Sequence, residues 1–259
     1  MRSSFLPTEP GSFPDRNGTR PVMNKASNLP LRCVITASTG GAVLNECLKH
    51  PHFKSMIHSV VCDRACGAAA KAREHGVPVE VFTQPTGEMF CTRLHDYLKA
   101  HQIDYVFSFY TSFYSKAIRR AFVDRLVNFH PTLLPAFKGN DAWEYVQAYG
   151  VRFTGSTVEF IHERMDEGKI ILQTVCPWDA NQPAEFTHHR VFIQQCKSLL
   201  QVARWLSDGR VATDGCRVAV RDARFDSGEF SPALDFSEAL DFTCRTPSGR
   251  GVDAELKMP

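Results

Sequence analysis

Asn128 and His130 stand two residues apart at the end of an apolar run, and Asp166 follows within Met165-Asp166-Glu167-Gly168. A carboxamide, an imidazole and a carboxylate are the groups that acyl transfer through an oxyanion requires. The Asn128 amide can stabilise an oxygen as it gains charge, with no change in its own charge. An imidazole titrates close to working pH, so His130 can donate to the same oxygen or carry a proton. A carboxylate at Asp166 can orient that imidazole or hold a water that relays the proton. Each piece also has a plainer reading. Asn-x-His-Pro suits a turn in which the asparagine bonds its own backbone, and Asp-Glu-Gly suits a solvated turn.

For Asn128 and His130 to act together they must share a face, and a strand over 125–129 running into His130 does this, because side chains alternate with period two. Pro131 has no N–H to donate and ends the ladder. The pair is therefore expected at the carboxyl end of a strand, where open α/β sheets bind ligands. Short β-branched runs predict further strands at 32–37, 57–62, 77–82, 104–109, 153–160 and 169–175. Helical stretches are expected near 42–50, 65–75 and 87–101. This alternation implies an α/β fold, a doubly wound, mostly parallel sheet. The last two strands are joined too closely for a crossover helix, so at least one antiparallel pair is expected there. A long helix over 184–207 carries Phe192, Cys196, Leu199, Ala203 and Leu206 on one face, and Asp208-Gly209 stops it.

The flanks read differently. Residues 1–29 are rich in Pro, Ser, Gly and Asn and are expected to form a disordered leader, with Met23 a second possible start. The catalytic domain spans 30–210. A small hairpin around Asp214-Gly215 is expected next, and 225–259 reads as a mostly loose tail, so both ends are flexible. A net charge of +2 gives no electrostatic case for nucleic acid or membrane binding. No apolar stretch approaches the roughly 20 residues that span a bilayer, and no signal peptide is visible. The nine cysteines are an odd count with no Cys-x-x-Cys pair, which points to reduced cytoplasmic thiols and no metal site.

The block Asn128-Phe129-His130-Pro131-Thr132-Leu133-Leu134-Pro135-Ala136-Phe137-Lys138-Gly139 is followed by Gly155-Ser156-Thr157-Val158-Glu159-Phe160 and Asp166-Glu167-Gly168-Lys169-Ile170-Ile171. On these residues the chain resembles the folate-dependent formyltransferases, most nearly the phosphoribosylglycinamide formyltransferases, over roughly residues 30–210. The middle block is specific, since two prolines at fixed offsets within a dozen matching positions rarely recur by chance. The resemblance implies a Rossmann-like fold, small-molecule substrates and 10-formyltetrahydrofolate as co-substrate. It also makes Asn128, His130 and Asp166 the catalytic trio.

The resemblance puts the folate-contacting loop on Thr111, Ser112, Phe113 and Tyr114, with the loop Ile161-His162-Glu163-Arg164-Met165 on the opposing wall. Phe113 and Tyr114 read equally as core aromatics. The family's arginine near the folate tail finds no match in Gln84-Pro85-Thr86-Gly87, which leaves Arg119 or Arg120 as substitutes. The acceptor loop, which cradles a phosphate in these enzymes, falls on Gly40, Gly41, Ala42 and Val43, where Val43 replaces a donating asparagine. Gln195 stands where a glutamate meets the sugar hydroxyls. These two departures put the phosphoribosylglycinamide acceptor in question, and another small amine such as an amino sugar or a nucleotide-linked amine is the alternative. A formyltetrahydrofolate hydrolase is a further alternative. A dinucleotide oxidoreductase would want Gly-x-Gly-x-x-Gly, which is absent.

Overall fold

The computed structural model describes residues 20–21, 31–215 and 217–244. In chain order the elements are β1 (Arg20–Pro21), β2 (Cys33–Ala37), α1 (Ala42–Cys47), α2 (Pro51–Met56), β3 (Ile57–Cys62), α3 (Gly67–Glu74), β4 (Val79–Val81), α4 (Gly87–Ala100), β5 (Tyr105–Phe109), α5 (Lys116–Ala121), β6 (Leu126–His130), α6 (Ala142–Tyr149), β7 (Phe153–Phe160), β8 (Lys169–Pro177), α7 (Ala184–Ser207), β9 (Val211–Asp214), β10 (Arg217–Val220), β11 (Phe230–Ser231) and α8 (Ser237–Leu240). Among the described residues the main sheet runs β11-β8-β7-β6-β5-β2-β3-β4. From β4 to β6 the neighbours are parallel. From β6 to β11 they are antiparallel, as the short connection between β7 and β8 requires.

Period-two alternation sorts the strand residues between two cores. Ile35, Val60, Phe107, Val127 and Phe129 face one layer, shared with Leu44, Phe53, Ala69, Leu199 and Trp205 from α1, α2, α3 and α7. Val34, Val61, Val106 and Leu126 face the other, with Phe90, Leu94 and Ile118 from α4 and α5. Both faces of the sheet are thus covered, the condition under which parallel strands read as apolar runs. Asn128 and His130 share the parity of Leu126 and lie toward the α4–α5 layer.

Three expectations are corrected. The stretch read as a loose tail is docked as far as Cys244: β11 adds to β8, and Phe230, Ala233, Leu234, Ala239 and Phe242 are buried. Asp235 anchors this segment by accepting from Gln201 Nε2 at 2.7 Å, Trp205 Nε1 at 3.0 Å and the Arg210 guanidinium at 2.7 Å. Phe230, Leu234, Ala239 and Phe242 join the core shared with α7, at spacings that follow no strand or helix period. Within the expected leader, Arg20–Pro21 pairs with Ala212 and Thr213 of β9; Met23 and residues 245–259 lie outside the described residues. The helices α5 and α6 were not expected, because each runs less than three turns and offers one or two buried side chains.

Candidate active site

The loop after His130 is built by side chains of the antiparallel strands. The Thr157 hydroxyl donates to Thr132 O at 2.9 Å and accepts from Leu134 N at 3.0 Å. Gln173 Nε2 donates to Leu134 O at 2.8 Å. Leu134 is buried, and the chain then returns so that Phe137 O sits 2.9 Å from His130 Nε2. A carbonyl only accepts, so Nε2 carries its proton in this arrangement and Nδ1 is turned toward Asp166. Asp166 comes from the turn between β7 and β8. It has φ of 54°, in the left-handed region that aspartate tolerates better than most residues. Its Oδ2 accepts from Gly139 N at 2.7 Å, and Lys138 pairs with Glu167 at 2.8 Å. The two loops are thereby fastened across the site.

Three functional groups meet at one oxygen. Asp166 Oδ1 lies 3.5 Å from His130 Nδ1 and 3.4 Å from Asn128 Nδ2. His130 and Asp166 are both buried. An amide donor, an imidazole and its carboxylate therefore stand together at the end of β6. This can stabilise an oxyanion and move a proton beside it. Glu159 joins them: its Oε1 accepts from Asn128 Nδ2 at 3.2 Å and its Oε2 from Gly168 N at 2.7 Å. Burial pushes the Glu159 carboxyl above its ordinary value and the neighbouring Asp166 adds to this, against the bonds from Asn128 and Gly168.

A narrow slot opens beside this cluster, lined by Ser108, Tyr110, Ser112, Phe113, Tyr114, Asn128, Glu159, Ile161 and Asp166. Two of its aromatic rings meet, Tyr110 and Tyr114 at 5.2 Å, and Tyr110 is backed by the buried Phe90 ring at 4.8 Å. Aromatic side chains with a few polar groups are the lining from which small-molecule sites are built, and the slot as it stands holds about 30 Å³. Of the loop named from sequence, Ser112 and Phe113 line the slot. Tyr114 lines it from below as a core residue, its hydroxyl bound to Thr36 and Ser108 at 2.5 and 2.9 Å. Thr111 lies outside the lining; its N–H meets Ser38 Oγ and its carbonyl accepts from Asn140. Of the opposing loop, Ile161 lines the slot, and Met165 is exposed and outside the lining.

The formyl transferase family pattern matches residues 32–203, more than half of the chain. This chain belongs to the formyl transferase family. The chloroplastic phosphoribosylglycinamide formyltransferase of Vigna unguiculata is 33% identical over 175 residues, 64% of this chain and 56% of that protein. The phosphoribosylglycinamide formyltransferase of Mycobacterium tuberculosis is 30% identical over 203 residues, 74% of this chain and 94% of that protein. Glycinamide ribonucleotide transformylase 1 from Symbiobacterium toebii superposes with a TM-score of 0.70 at 28% identity, over 76% of this chain and 100% of that one. The chain spans about half the length of the plant relatives it matches. The doubly wound sheet is the Rossmann-like fold of this family.

On the side of this formyl transferase that was expected to bind the acceptor, the structure revises the sequence reading. Val43 is buried in the core among α1, α3 and α7, so its side chain could not have reached a ligand. Gly41 has φ of 65°, and a Cβ on it would lie 2.7 Å from both Cα and Cβ of Ala68. The loop is knit to α3 again by Ala68 N donating to Thr39 O at 3.0 Å. Gly41 is therefore required by packing, whatever the loop binds. Gly40 is open on its side-chain side, and Ala42 opens α1. Gln195 is half-buried, with Nε2 3.4 Å from Phe129 O, the carbonyl next to His130.

Arg119 is tied into the walls of the slot. Its guanidinium donates to Tyr114 O at 3.0 Å, His162 O at 3.1 Å and Glu163 O at 2.7 Å, and lies over the Phe113 ring at 4.4 Å. It clamps the two walls of the slot. The lining residues to which the sequence reading gave no role are Glu159, Ser108 and Tyr110. Glu159 is the one charged residue in the strand Phe153–Phe160, and a charge within a strand is rarely buried without a partner.

Proposed function

We propose that this chain transfers a formyl group from 10-formyltetrahydrofolate to a primary amine, and that the amine is phosphoribosylglycinamide. The observation that carries the reading is the convergence of Asn128, His130 and Asp166 on one oxygen at the end of an aromatic slot. In this reading Ser112, Phe113, Tyr114 and Ile161 hold the flat ring of the donor. Asn128 donates to the formyl oxygen as it becomes negative. His130 and Asp166 take the proton from the attacking amine and return one to the departing nitrogen. Gln195 and the backbone of Gly40, Gly41 and Ala42 are proposed for the acceptor side. The names of the relatives from Vigna unguiculata and Mycobacterium tuberculosis support phosphoribosylglycinamide, and with it a place in purine biosynthesis.

The eight described cysteines are free thiols, which fits a reducing compartment, and we infer a cytoplasmic location. Among the described residues no helix is long and apolar enough to cross a membrane. The reading calls for small-molecule substrates alone. The test is production of tetrahydrofolate from 10-formyltetrahydrofolate with phosphoribosylglycinamide, with amino sugars, with a nucleotide-linked amine, and with no amine. Turnover that depends on phosphoribosylglycinamide supports the proposal. Equal turnover without any amine would make the chain a hydrolase, and turnover only with another amine would replace the acceptor.

A further inference from the structure

A side-chain amide can sit in two orientations, and only one of them makes Asn128 useful. With Nδ2 toward the slot it donates; flipped, it presents an acceptor to a developing negative charge. The choice is made by Glu159, which is 1% exposed and sits directly across from Asn128 in the β6–β7 ladder. Residues so opposed have Cβ atoms about 5 Å apart. The register between β7 and β8 shifts between Val158 and Glu159, the kind of irregularity that re-aims a side chain. Glu159 Oε1 takes one Asn128 hydrogen at 3.2 Å. A flipped amide would set its oxygen against Glu159 Oε1 and Asp166 Oδ1 together, three acceptors with no hydrogen among them.

The second carboxylate oxygen secures the other half of the site. Glu159 Oε2 accepts from Gly168 N at 2.7 Å, two residues beyond Asp166. A Cβ on Gly168 would collide with Phe160 O and sit 2.7 Å from that same Glu159 oxygen, so the turn comes this close to β7 only with glycine there. One buried carboxylate therefore reaches both the strand that carries Asn128 and the turn that carries Asp166.

We propose that Glu159 is a positioning residue of the transfer reaction: it holds the Asn128 amide with its N–H₂ edge facing the slot and fixes the Asp166 turn through Gly168. The proposal rests on the formyl-transfer reading. One Asn128 hydrogen stays on Glu159, and the other, held loosely by Asp166 at 3.4 Å, is the one offered to the formyl oxygen.

Glu159→Gln keeps the shape but leaves one acceptor oxygen where two are needed. The backbone N–H of Gly168 is fixed and claims it, so the new amide N–H₂ meets Asn128 and turns it over. The expected result is a fall in kcat of about 10- to 100-fold, up to the loss of one oxyanion donor, with the KM for 10-formyltetrahydrofolate changed less than about threefold. In an Asn128→Ala background the same substitution should cost less than about threefold more, because it acts through Asn128. Glu159→Asp, which keeps both oxygens, should recover part of the loss. It also carries the test should the glutamine variant fail to bind 10-formyltetrahydrofolate. Full activity of Glu159→Gln beside a crippled Asn128→Ala overturns this proposal alone. An equal loss in both backgrounds overturns it too, in favour of Glu159 acting on substrate directly. Full activity of Asn128→Ala overturns both this proposal and the role assigned to Asn128.

Discussion

Asp166→Asn is the sharpest test of the trio, because the structure separates what that change removes from what it keeps. Asparagine tolerates the left-handed backbone at φ 54°, and its single oxygen can still take the Gly139 N–H now held at 2.7 Å. The amide nitrogen then faces His130 Nδ1 and Asn128 Nδ2 in place of a carboxylate oxygen at 3.5 and 3.4 Å. What is lost is a negative charge beside an imidazole that must become positive during proton transfer. At this separation and an effective dielectric of about 20, that charge is worth about 4–5 kcal/mol. Each factor of ten in rate is about 1.4 kcal/mol, so kcat should fall by about 10³, inside the range for losing general acid–base function. The assay is tetrahydrofolate formation under saturating donor and acceptor, beside equilibrium binding of 10-formyltetrahydrofolate and a urea unfolding curve. Binding and unfolding midpoint should stay close to wild type. Turnover within about fivefold of wild type would refute the reasoning, since His130 would then not depend on Asp166.

Arg119→Ala removes the donor to Tyr114 O, His162 O and Glu163 O; the donor KM should rise about tenfold with kcat within about threefold, read from initial rates. Asp235→Ala leaves the buried Trp205 indole and Gln201 amide without their acceptor and should cost about 1–3 kcal/mol in urea unfolding, with turnover per folded molecule unchanged. The Glu159 carboxyl is raised chiefly by burial, so between its unfolded value near 4.5 and its higher folded value the native state binds more protons. Stability should therefore decline as pH rises through that window. Glu159→Gln should lack this decline when unfolding midpoints are compared from pH 4.5 upward.

The parts of the site that sequence made legible are those encoded by strand period. Asn128 and His130 share a face because they are two positions apart, and they stand at a strand end because Pro131 follows; neither statement needs a partner strand. Glu159 lies outside that logic. Its meeting with Asn128 depends on which residue of β7 lies opposite which residue of β6, a register set by α6 and the long loop between them. Thr157 facing His130 and pinning the 132–134 loop depends on the same register. The docked segment before Cys244 was hidden for a related reason. Its hold comes from one carboxylate, Asp235, answering three donors spread along α7 and just beyond, and scattered contacts leave no periodicity to read.

The glycine loop shows how one residue can answer two demands that sequence does not tell apart. Two glycines between a strand and a helix fit an anion nest, and they fit equally a backbone forced close to a neighbour. Sequence offers no means of separating these, since both ask for φ > 0 and the absence of a Cβ. At Gly41 the structure shows the packing demand, since Ala68 occupies the space a side chain would need. Substituting Gly41 therefore tests the packing of α3, and a lost phosphate affinity there would not identify an acceptor. Gly40 is the informative position: a Cβ on it meets nothing within 4 Å, so Gly40→Ala should fold normally. Any effect it has on the acceptor KM would report on the ligand itself.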